Sequence, residues 1–534
     1  MHHAARLSGF KDESESDDED PSLFVRHGVR FNAQWYLTIR DLFRHVYNRY
    51  EANYIDEHEW THFHVACRFG FRSIVKAFLE VGQDPNCYAQ KSVDPPIHLA
   101  LDDRRIDLAK LLLSHGADPN STNSTGLTPL LHVCAMDYAD RSGSVDLAKM
   151  LLELSSDEYR PVQVDARDWM GNTPLRLAFD YGDMRMAELL LRKGANPNSV
   201  YSSNGSTLLH VFCETYFDGG LLEQFFKLCD DLHKTVPVDV FNNRGETPLN
   251  LVLLNRNEKK AELLLRRGAN VNLVNSEGST LLHVICNKDR DDKSAKMLFK
   301  ICDDIHQMVQ VNAEDNDGNT PLQLAVANLL PNTVDVLLNH GADLSKCLFP
   351  TLIDPKWPYC SGDRKMRAAS GVLAVAEHLE ERGYDFTRSD ALTIMKFFAK
   401  HDFFEKLLDL ERCWYDDEQF TSTAKKIKIN SSLSLYDLIQ MRPEEEDKLL
   451  TYMDYFVFAN NIKMCYYIPP RPYENCILHL CEKLSRGFFR RWALDPFYEL
   501  IHKRLSIECC TIILEKLNNQ DLCNICLAAA GQTG

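Results

Sequence analysis

One short signature recurs eight times between residues 61 and 322, and this repetition constrains the fold more than any other feature of the 534-residue chain. Its copies begin at Thr61, Pro95, Thr128, Thr173, Thr207, Thr247, Thr280 and Thr320. Successive copies start 34, 33, 45, 34, 40, 33 and 40 residues apart. A period of about 33 residues, lengthened in places by insertions, predicts stacked copies of one supersecondary unit.

Each copy carries residues that begin and end a pair of helices. A threonine hydroxyl caps a first helix, and a following proline fits the first turn, where its missing N–H costs nothing. Runs such as Ala187-Glu188-Leu189-Leu190-Leu191 place the leucines of a second helix on one face. Glycines suited to the left-handed conformation follow these runs, at Gly116, Gly194, Gly268 and Gly341. The sequence therefore predicts helix–turn–helix units joined by short hairpin loops.

The signature resembles the ankyrin repeat, Thr-Pro-Leu-His-x-Ala, and residues 95–100 carry its histidine and alanine as Pro-Pro-Ile-His-Leu-Ala. The resemblance implies an elongated, nearly all-helical solenoid. The histidines of the signature are expected to make local hydrogen bonds. A longer period lies above the first, because residues 205–211 recur unchanged as residues 278–284. The evolving unit is therefore predicted to be a pair of repeats.

The C-terminal segment from Leu505 to Cys526 resembles the F-box pattern L-P-x-E-x-x-x-x-I-L-x-x-L-x-x-x-D-L. Together with Trp492 to Phe497 and the repeats upstream, it is similar to the PRANC domain of poxvirus ankyrin proteins and of related proteins from parasitoid wasps and intracellular bacteria. The fold class predicted for the whole chain is all-α, an ankyrin-repeat solenoid followed by a helical F-box-like module.

That resemblance implies docking on the Skp-type adaptor and cullin scaffold of an SCF ubiquitin ligase, while the repeats hold the target. The chain would act by proximity and not as an enzyme. The residues implied in adaptor binding are Leu505, Ile507, Glu508, Ile512, Ile513, Leu514, Leu517, Asp521, Leu522 and Ile525. Glu508 and Asp521 are expected to begin their helices favourably against the helix dipole.

Two other interpretations stay open. A Leu/Ile stripe at helical spacing is more often core than interface, so the segment could be a helical end cap. The protein would then be a scaffold or inhibitor that sequesters a signalling protein. An enzyme concealed between residues 368 and 489 is a third, weaker interpretation, because no catalytic motif marks that region.

The resemblance implies that the target binds at the tips of the hairpin loops or on the concave face of the inner helices. Trp169, Met170, Phe241 and Arg244 fall on predicted tips, and aromatic and arginine side chains are the usual anchors of protein interfaces. The alternative is that these side chains pack on a neighbouring tip or on the inserted helices.

The pattern divides the chain into six regions. They are an acidic disordered tail (1–20), an N-terminal helical cap (21–59), about eight ankyrin repeats (60–345), a connector with a degenerate repeat (346–424), a helical linker (425–490) and the PRANC/F-box-like domain (491–534).

Composition narrows the function. A net charge of -17 argues against general binding to nucleic acid or to a membrane surface. The 17 cysteines lie scattered in apolar stretches, which is typical of reduced thiols in an intracellular protein of the cytoplasm or nucleus. Cys523 and Cys526 invite a zinc site, but apolar packing is the favoured interpretation. The sequence predicts no catalytic residue, no metal site and no cofactor.

Overall fold

The computed structural model describes residues 40–41, 43, 50–51, 60–87, 93–102, 104–136, 141–154, 161–201, 204–215, 220–288, 291, 293–347, 349, 362–404, 418–430, 432–442, 445, 448–461, 468 and 470–532. Within these residues the chain forms 24 α-helices and no strand; isolated bridges join Val200 to Thr207 and Lys428 to Ser434. The predicted all-α repeat fold is confirmed. None of the described helices is long and apolar enough to cross a membrane.

The chain divides into two compact units, residues 1–248 and 249–534. The first unit holds the helix pairs α1 (His62–Phe69) and α2 (Arg72–Glu80), α3 (Pro96–Asp102) and α4 (Ile106–Ser114), α5 (Pro129–Ala135) and α6 (Arg141–Leu154), α7 (Pro174–Asp180) and α8 (Met184–Arg192), and α9 (Leu208–Glu214) and α10 (Leu221–Asp231). Three further pairs follow: α11 (Pro248–Leu254) and α12 (Glu258–Arg266), α13 (Leu281–Cys286) and α14 (Ser294–Asp304), and α15 (Pro321–Ala327) and α16 (Pro331–Asn339). The first helix of every pair begins at one of the eight signature copies.

Threonine begins the first helix of the repeats as the sequence predicts. The Thr173 hydroxyl accepts a hydrogen bond from the Arg176 amide at 3.3 Å. Thr320 accepts one from the Gln323 amide at 3.3 Å. The glycines that end the second helices have the expected left-handed backbone, with φ of 93° at Gly116, 102° at Gly194, 88° at Gly268 and 83° at Gly341.

The histidine three residues after the threonine joins one repeat to the next. His210 Nδ1 lies 2.9 Å from the Thr207 hydroxyl, and Nε2 lies 3.2 Å from the Glu246 carbonyl oxygen in the following hairpin. His283 lies 2.8 Å from the Thr280 hydroxyl and 3.1 Å from the next hairpin's carbonyl oxygen, at Asn319. Burial lowers the pKa of His210, which favours the neutral ring. The predicted local hydrogen bonding is confirmed.

Asparagines hydrogen-bond the base of one hairpin, which we call its neck, to the neck of the next. The Asn86 amide donates to the Gly116 carbonyl at 2.8 Å, and its oxygen accepts from the Asp118 amide at 2.6 Å. The same two bonds recur from Asn120 to Pro161 and Gln163, from Asn272 to Met308 and Gln310, and from Asn312 to Gly341 and Asp343. Backbone groups that would otherwise be left without partners at the necks are therefore satisfied.

A helical region follows the repeats in the second unit. It consists of α17 (Gly362–Glu381), α18 (Arg388–Lys400), α19 (Glu418–Lys426), α20 (Leu435–Gln440), α21 (Tyr452–Asn461), α22 (Pro470–Leu500), α23 (Ile507–Leu514) and α24 (Asn519–Gln532). α17 packs against α21 and α22, and α22 packs against α23 and α24. The 31-residue α22 runs without a break through the domain boundary expected between residues 490 and 491.

Several expectations fall outside the described residues. These are the acidic tail at residues 1–20, most of the N-terminal cap at residues 21–59, and parts of the connector at residues 350–361 and 405–417. From the predicted cap, Phe43 is described; it is buried and meets the rings of His62 and Phe71 edge-on.

Candidate protein-binding surfaces

One carboxylate shapes the hairpin between α6 and α7. Asp168 Oδ1 accepts from the Met170 amide at 2.9 Å and from the Asn172 amide at 2.7 Å, and Oδ2 accepts from the Asn172 side chain at 2.9 Å. Gly171 completes the turn with a φ of 82°. Trp169 and Met170, on this turn, are 80% and 61% exposed. Two predicted target-binding residues therefore stand on a braced, solvent-facing tip.

The hairpin between α10 and α11 is built in the same way. The Asn242 side-chain oxygen accepts from the Arg244 amide at 2.9 Å and from the Glu246 amide at 3.0 Å. The Asn242 amide group donates to the Glu246 carboxylate at 2.9 Å. Phe241 and Arg244 are exposed, so all four predicted target-binding residues face solvent.

The hairpin before α9 connects these two tips. A Cβ on Gly171 would overlap the carbonyl oxygen of Tyr201, so the first hairpin lies against it. The Asn243 amide donates to the Asn204 carbonyl at 2.7 Å, so the third hairpin lies against it from the other side. Three consecutive hairpins thus form one edge. We call its exposed apolar and cationic residues the tip surface: Arg167, Trp169, Met170, Val200, Phe241 and Arg244.

The sequence prediction missed Arg167 and Val200. A pattern was available, because Arg167, Val200 and Phe241 each stand two residues after the polar residue that opens their hairpin. All three are exposed. Alignment of the hairpins by that opening residue, and not by the threonine signature, places them in one row.

At the C-terminus, two side chains of α23 are buried and its other residues are exposed. Cys510 and Leu514 are buried, whereas Leu505, Ile507, Ile512 and Ile513 are exposed; we call these four exposed residues the α23 strip. Ile512 is the most open at 60%. Of the other residues expected to bind an adaptor, Glu508 is exposed, Leu517, Asp521 and Ile525 are half-buried, and Leu514 and Leu522 are buried.

Polar side chains of α22 fix both ends of the connection between α23 and α24. The Arg486 guanidinium donates to the carbonyl oxygens of Glu515 at 3.0 Å and Leu517 at 2.9 Å. The Glu482 carboxylate accepts from the Asn519 amide at 2.7 Å. Asn519 is fully buried, and its side chain donates to the Ser485 hydroxyl at 2.9 Å. The orientation of α23 on α22 is therefore set by bonds that do not involve the α23 strip.

The first turns of both C-terminal helices are capped. The Ser506 hydroxyl accepts from the Cys509 amide at 3.4 Å, and Glu508 follows in the first turn of α23. Hydrogen bonds from its own amide and from Ser506 lower the pKa of Glu508, so its carboxylate is ionised. Asn518 accepts from the Asp521 amide at 2.8 Å. Both acidic residues lie at helix N-termini, as expected from the dipole.

A polar network links three successive first helices of the first unit. Arg68 and His132 both pair with the Asp102 carboxylate, His132 at 3.2 Å. His132 Nδ1 lies 3.1 Å from His98 Nδ1, and His98 Nε2 lies 2.9 Å from the Ser121 carbonyl oxygen. The carbonyl must accept, so His98 carries its proton on Nε2 and accepts from His132. Burial lowers the pKa of His98 to about 4, so the His98 ring in this network is neutral at pH 7.

The cysteines at the C-terminus are buried thiols. Cys523 and Cys526 lie near the carbonyl oxygens of Met395 at 3.8 Å and Trp492 at 3.6 Å. Burial raises the pKa of Cys523 to about 11 and that of Cys526 to about 12, so both stay protonated. Across the described residues, no group of three or more His, Cys, Asp or Glu side chains is arranged to hold a metal ion.

Comparison with known proteins identifies the repeats. Residues 36–123, 97–201 and 252–346 match the family of ankyrin repeats in three copies. An ankyrin repeat protein of Acanthamoeba polyphaga mimivirus is 25% identical over 252 residues, which is 46% of this chain and 28% of that protein. An ankyrin repeat protein of fowlpox virus is 26% identical over 168 residues, 26% of this chain and 86% of that protein.

Other matches lie outside viruses. The nuclear factor NF-kappa-B p105 subunit of Gallus gallus is 26% identical over 172 residues, 31% of this chain and 16% of that protein. Among solved structures, the ankyrin repeat domain of Bcl-3, a member of the IkappaB protein family, is 20% identical, covers 53% of this chain and all of that domain, and has a TM-score of 0.29. The chain spans less than a third of the length of the first curated relatives that it matches.

Proposed function

We propose, from the premise that residues 36–201 and 252–346 are ankyrin repeats, that this chain is a binding adaptor which joins two proteins and catalyses no reaction itself. Its tip surface holds a target. Its α23 strip docks on the Skp-type adaptor of a cullin-based ubiquitin ligase, so the target is ubiquitinated by proximity.

The α23 strip is the observation that carries the second half of this proposal. Three of the four aliphatic residues of α23 are exposed: Ile507, Ile512 and Ile513. A helix that served only to close the fold would place such residues against α22, because burial of one aliphatic side chain contributes about 1.5–3 kcal/mol. The bonds from Arg486 and Glu482 hold the helix in place without them. The strip is therefore available for a partner.

The tip surface supports the first half. Trp169 has a large apolar area that is open to solvent on a hairpin whose backbone is already fixed by Asp168. Preorganised aromatic anchors bind with little loss of conformational entropy, which makes them frequent hot spots of protein interfaces.

The test is capture of purified Skp-type adaptor and cullin by the immobilised full chain. We expect retention by the wild type and loss of retention with Ile507→Asp/Ile512→Asp, because two carboxylates would have to be desolvated in the contact. Gln520→Glu/Asn524→Asp is the matched control. It adds the same charge at exposed positions of α24 and should retain both proteins.

Two outcomes would contradict the ligase proposal. One is the absence of adaptor from the wild-type sample. The other is equal retention by the α23 variant, which would show that the strip is not the contact. Either result favours the second candidate, an ankyrin scaffold or inhibitor whose C-terminal helices close the fold through the buried side chains of Cys510, Leu514 and Leu522.

A further inference from the structure

The tip surface carries two cations, Arg167 and Arg244. Arg167 and Arg244 are both exposed, and within the described part of the chain neither guanidinium has a hydrogen-bond or salt-bridge partner. Two arginines on helices of the first unit make such pairs, Arg192 with Glu188 at 2.6 Å and Arg176 with Asp180 at 3.1 Å. Neither tip arginine makes a pair of this kind.

Carboxylates of the same hairpins accept hydrogen bonds from neighbouring hairpin residues. Asp168 accepts three hydrogen bonds within its hairpin. Glu246 accepts from the Asn242 side chain at 2.9 Å. Asp165 accepts from the Asn196 amide at 3.1 Å; burial raises its pKa, and the nearby charge of Arg167 opposes that rise. The carboxylates of Asp168 and Glu246 are thus bonded within their hairpins, while Arg167 and Arg244 face solvent on the same edge as Trp169, Met170 and Phe241.

The surroundings make this arrangement selective. The chain as a whole carries a net charge of -17, so most of the molecule repels an acidic partner, whereas Arg167 and Arg244 attract one. An arginine guanidinium binds a carboxylate through two parallel hydrogen bonds, and the exposed aromatic and aliphatic side chains between Arg167 and Arg244 suit an apolar residue.

We propose that the tip surface binds an extended acidic segment of a partner protein in which carboxylates flank an aromatic or aliphatic side chain. The proposal rests on the target-binding half of the proposed function and specifies the chemistry of the target. The carboxylates pair with Arg167 and Arg244, and the apolar residue packs on Trp169 and Phe241.

The test uses a fluorescein-labelled synthetic peptide of aspartate and glutamate with two phenylalanines, titrated with the full chain and followed by fluorescence anisotropy. Arg167→Glu/Arg244→Glu should weaken binding by at least about tenfold, because attraction becomes repulsion at both ends of the site. Arg185→Glu/Lys227→Glu is the matched control. It makes the same change in charge at exposed positions of α8 and α10 and should alter affinity by less than about twofold.

A separate titration tests the apolar contact of the tip surface. Trp169→Ser should weaken binding of the phenylalanine peptide about tenfold, a size ordinary for a truncated aromatic anchor. The same substitution should leave a peptide with serine at the two phenylalanine positions unaffected. Equal weakening by the tip and control charge variants would reduce the effect to general attraction and overturn the proposal, as would equal binding of a lysine peptide.

The chain's own acidic run at residues 12–20 is the competing occupant. A full-length variant with asparagine and glutamine in place of those acidic residues should bind the peptide with unchanged affinity. A rise of about tenfold would assign the surface to that run and overturn the partner proposal. The peptide titration contains no adaptor, and adaptor capture does not involve the tips, so failure of this inference and failure of the ligase proposal give separate results.

Discussion

The repeats and the C-terminal helix pair, α23 and α24, both hydrogen-bond the polar groups at their helix ends and connections. They differ in how far their aliphatic side chains are buried. In the repeats, helix ends and hairpin necks are bonded to the next repeat, and the leucines of the second helices are buried, as at Leu190 and Leu264. In the C-terminal pair, Arg486 and Glu482 bond the connection between α23 and α24. Yet α23 leaves Ile507 and Ile512 in solvent.

The difference separates residues needed for folding from residues left for binding. In the repeats, the aliphatic residues left in solvent lie on hairpins and at helix ends, as Val200 and Val274 do, whereas Leu190 and Leu264 inside the second helices are buried. On α23 the side chains of Cys510 and Leu514 are covered, whereas Ile507, Ile512 and Ile513 are left in solvent. Isolated exposed apolar residues are normal in proteins, whereas several together mark an interaction site.

Leu514 and Ile512 sharpen this comparison most, since they lie two residues apart on one helix with opposite burial. Leu514→Ala should lower the free energy of unfolding by about 2–5 kcal/mol, because it removes a fully packed side chain. Ile512→Ala should change it by less than about 0.5 kcal/mol. Urea denaturation followed by circular dichroism measures both. A similar cost for the two would mean that the α23 strip is part of the core.

His98 provides a test in the repeats that has no counterpart in α23. Its pKa is lowered to about 4 by burial, so the unfolded chain takes up a proton at higher pH than the folded chain does. The stabilisation from the neutral ring is present above a pH of about 6.5 and is lost as the pH falls towards 4, by up to about 3 kcal/mol. Urea denaturation at a series of pH values measures this loss.

His98→Gln is the control, because Gln323 already fills the equivalent position in the eighth copy and donates to the Lys346 carbonyl at 2.6 Å. The variant should show a shallower decline of stability with falling pH. Asp94, Asp102 and His132 also influence His98, and they remain in both proteins. An unchanged slope would show that His98 is protonated at similar pH in the folded and unfolded chains.

Asn272 gives the smallest expected effect. Asn272→Ala removes the bonds to Met308 and Gln310 that join two hairpin necks. We expect a loss of about 1–2 kcal/mol, since the bonds are exposed and water replaces them in part. Ser276→Ala on the adjoining tip is a control that should leave the free energy of unfolding unchanged. A loss no larger than that of the control would show that the necks do not contribute to stacking.

The repeats could be predicted from the sequence because each of their rules is local. A threonine before a proline caps a helix wherever it occurs, and the glycine after a leucine run ends one, so the eight first helices and the left-handed glycines were found by pattern alone. The histidine contacts were predicted as local, and their second bond reaches across to the next repeat, as from His210 to Glu246.

The C-terminal surface was less accessible to that reasoning. Spacing on a helix indicated a stripe containing both Ile512 and Leu514, but which of them is buried depends on where α22 lies. Arg486 and Glu482 carry no recognisable motif, and the structure alone brings them to the ends of α23 and α24. Long-range placement of this kind is what a single sequence does not encode in its local pattern.

The asparagine bonds also bear on how such a chain can change in evolution. Asn86 reaches its two partners across 30 and 32 residues, and Asn120 makes the same two bonds across 41 and 43. The same pair of asparagine bonds therefore forms whether the chain between the two necks is shorter or longer. Residues can be added or lost between consecutive necks while the stacking of the repeats is conserved, so new recognition loops can arise here without a new scaffold.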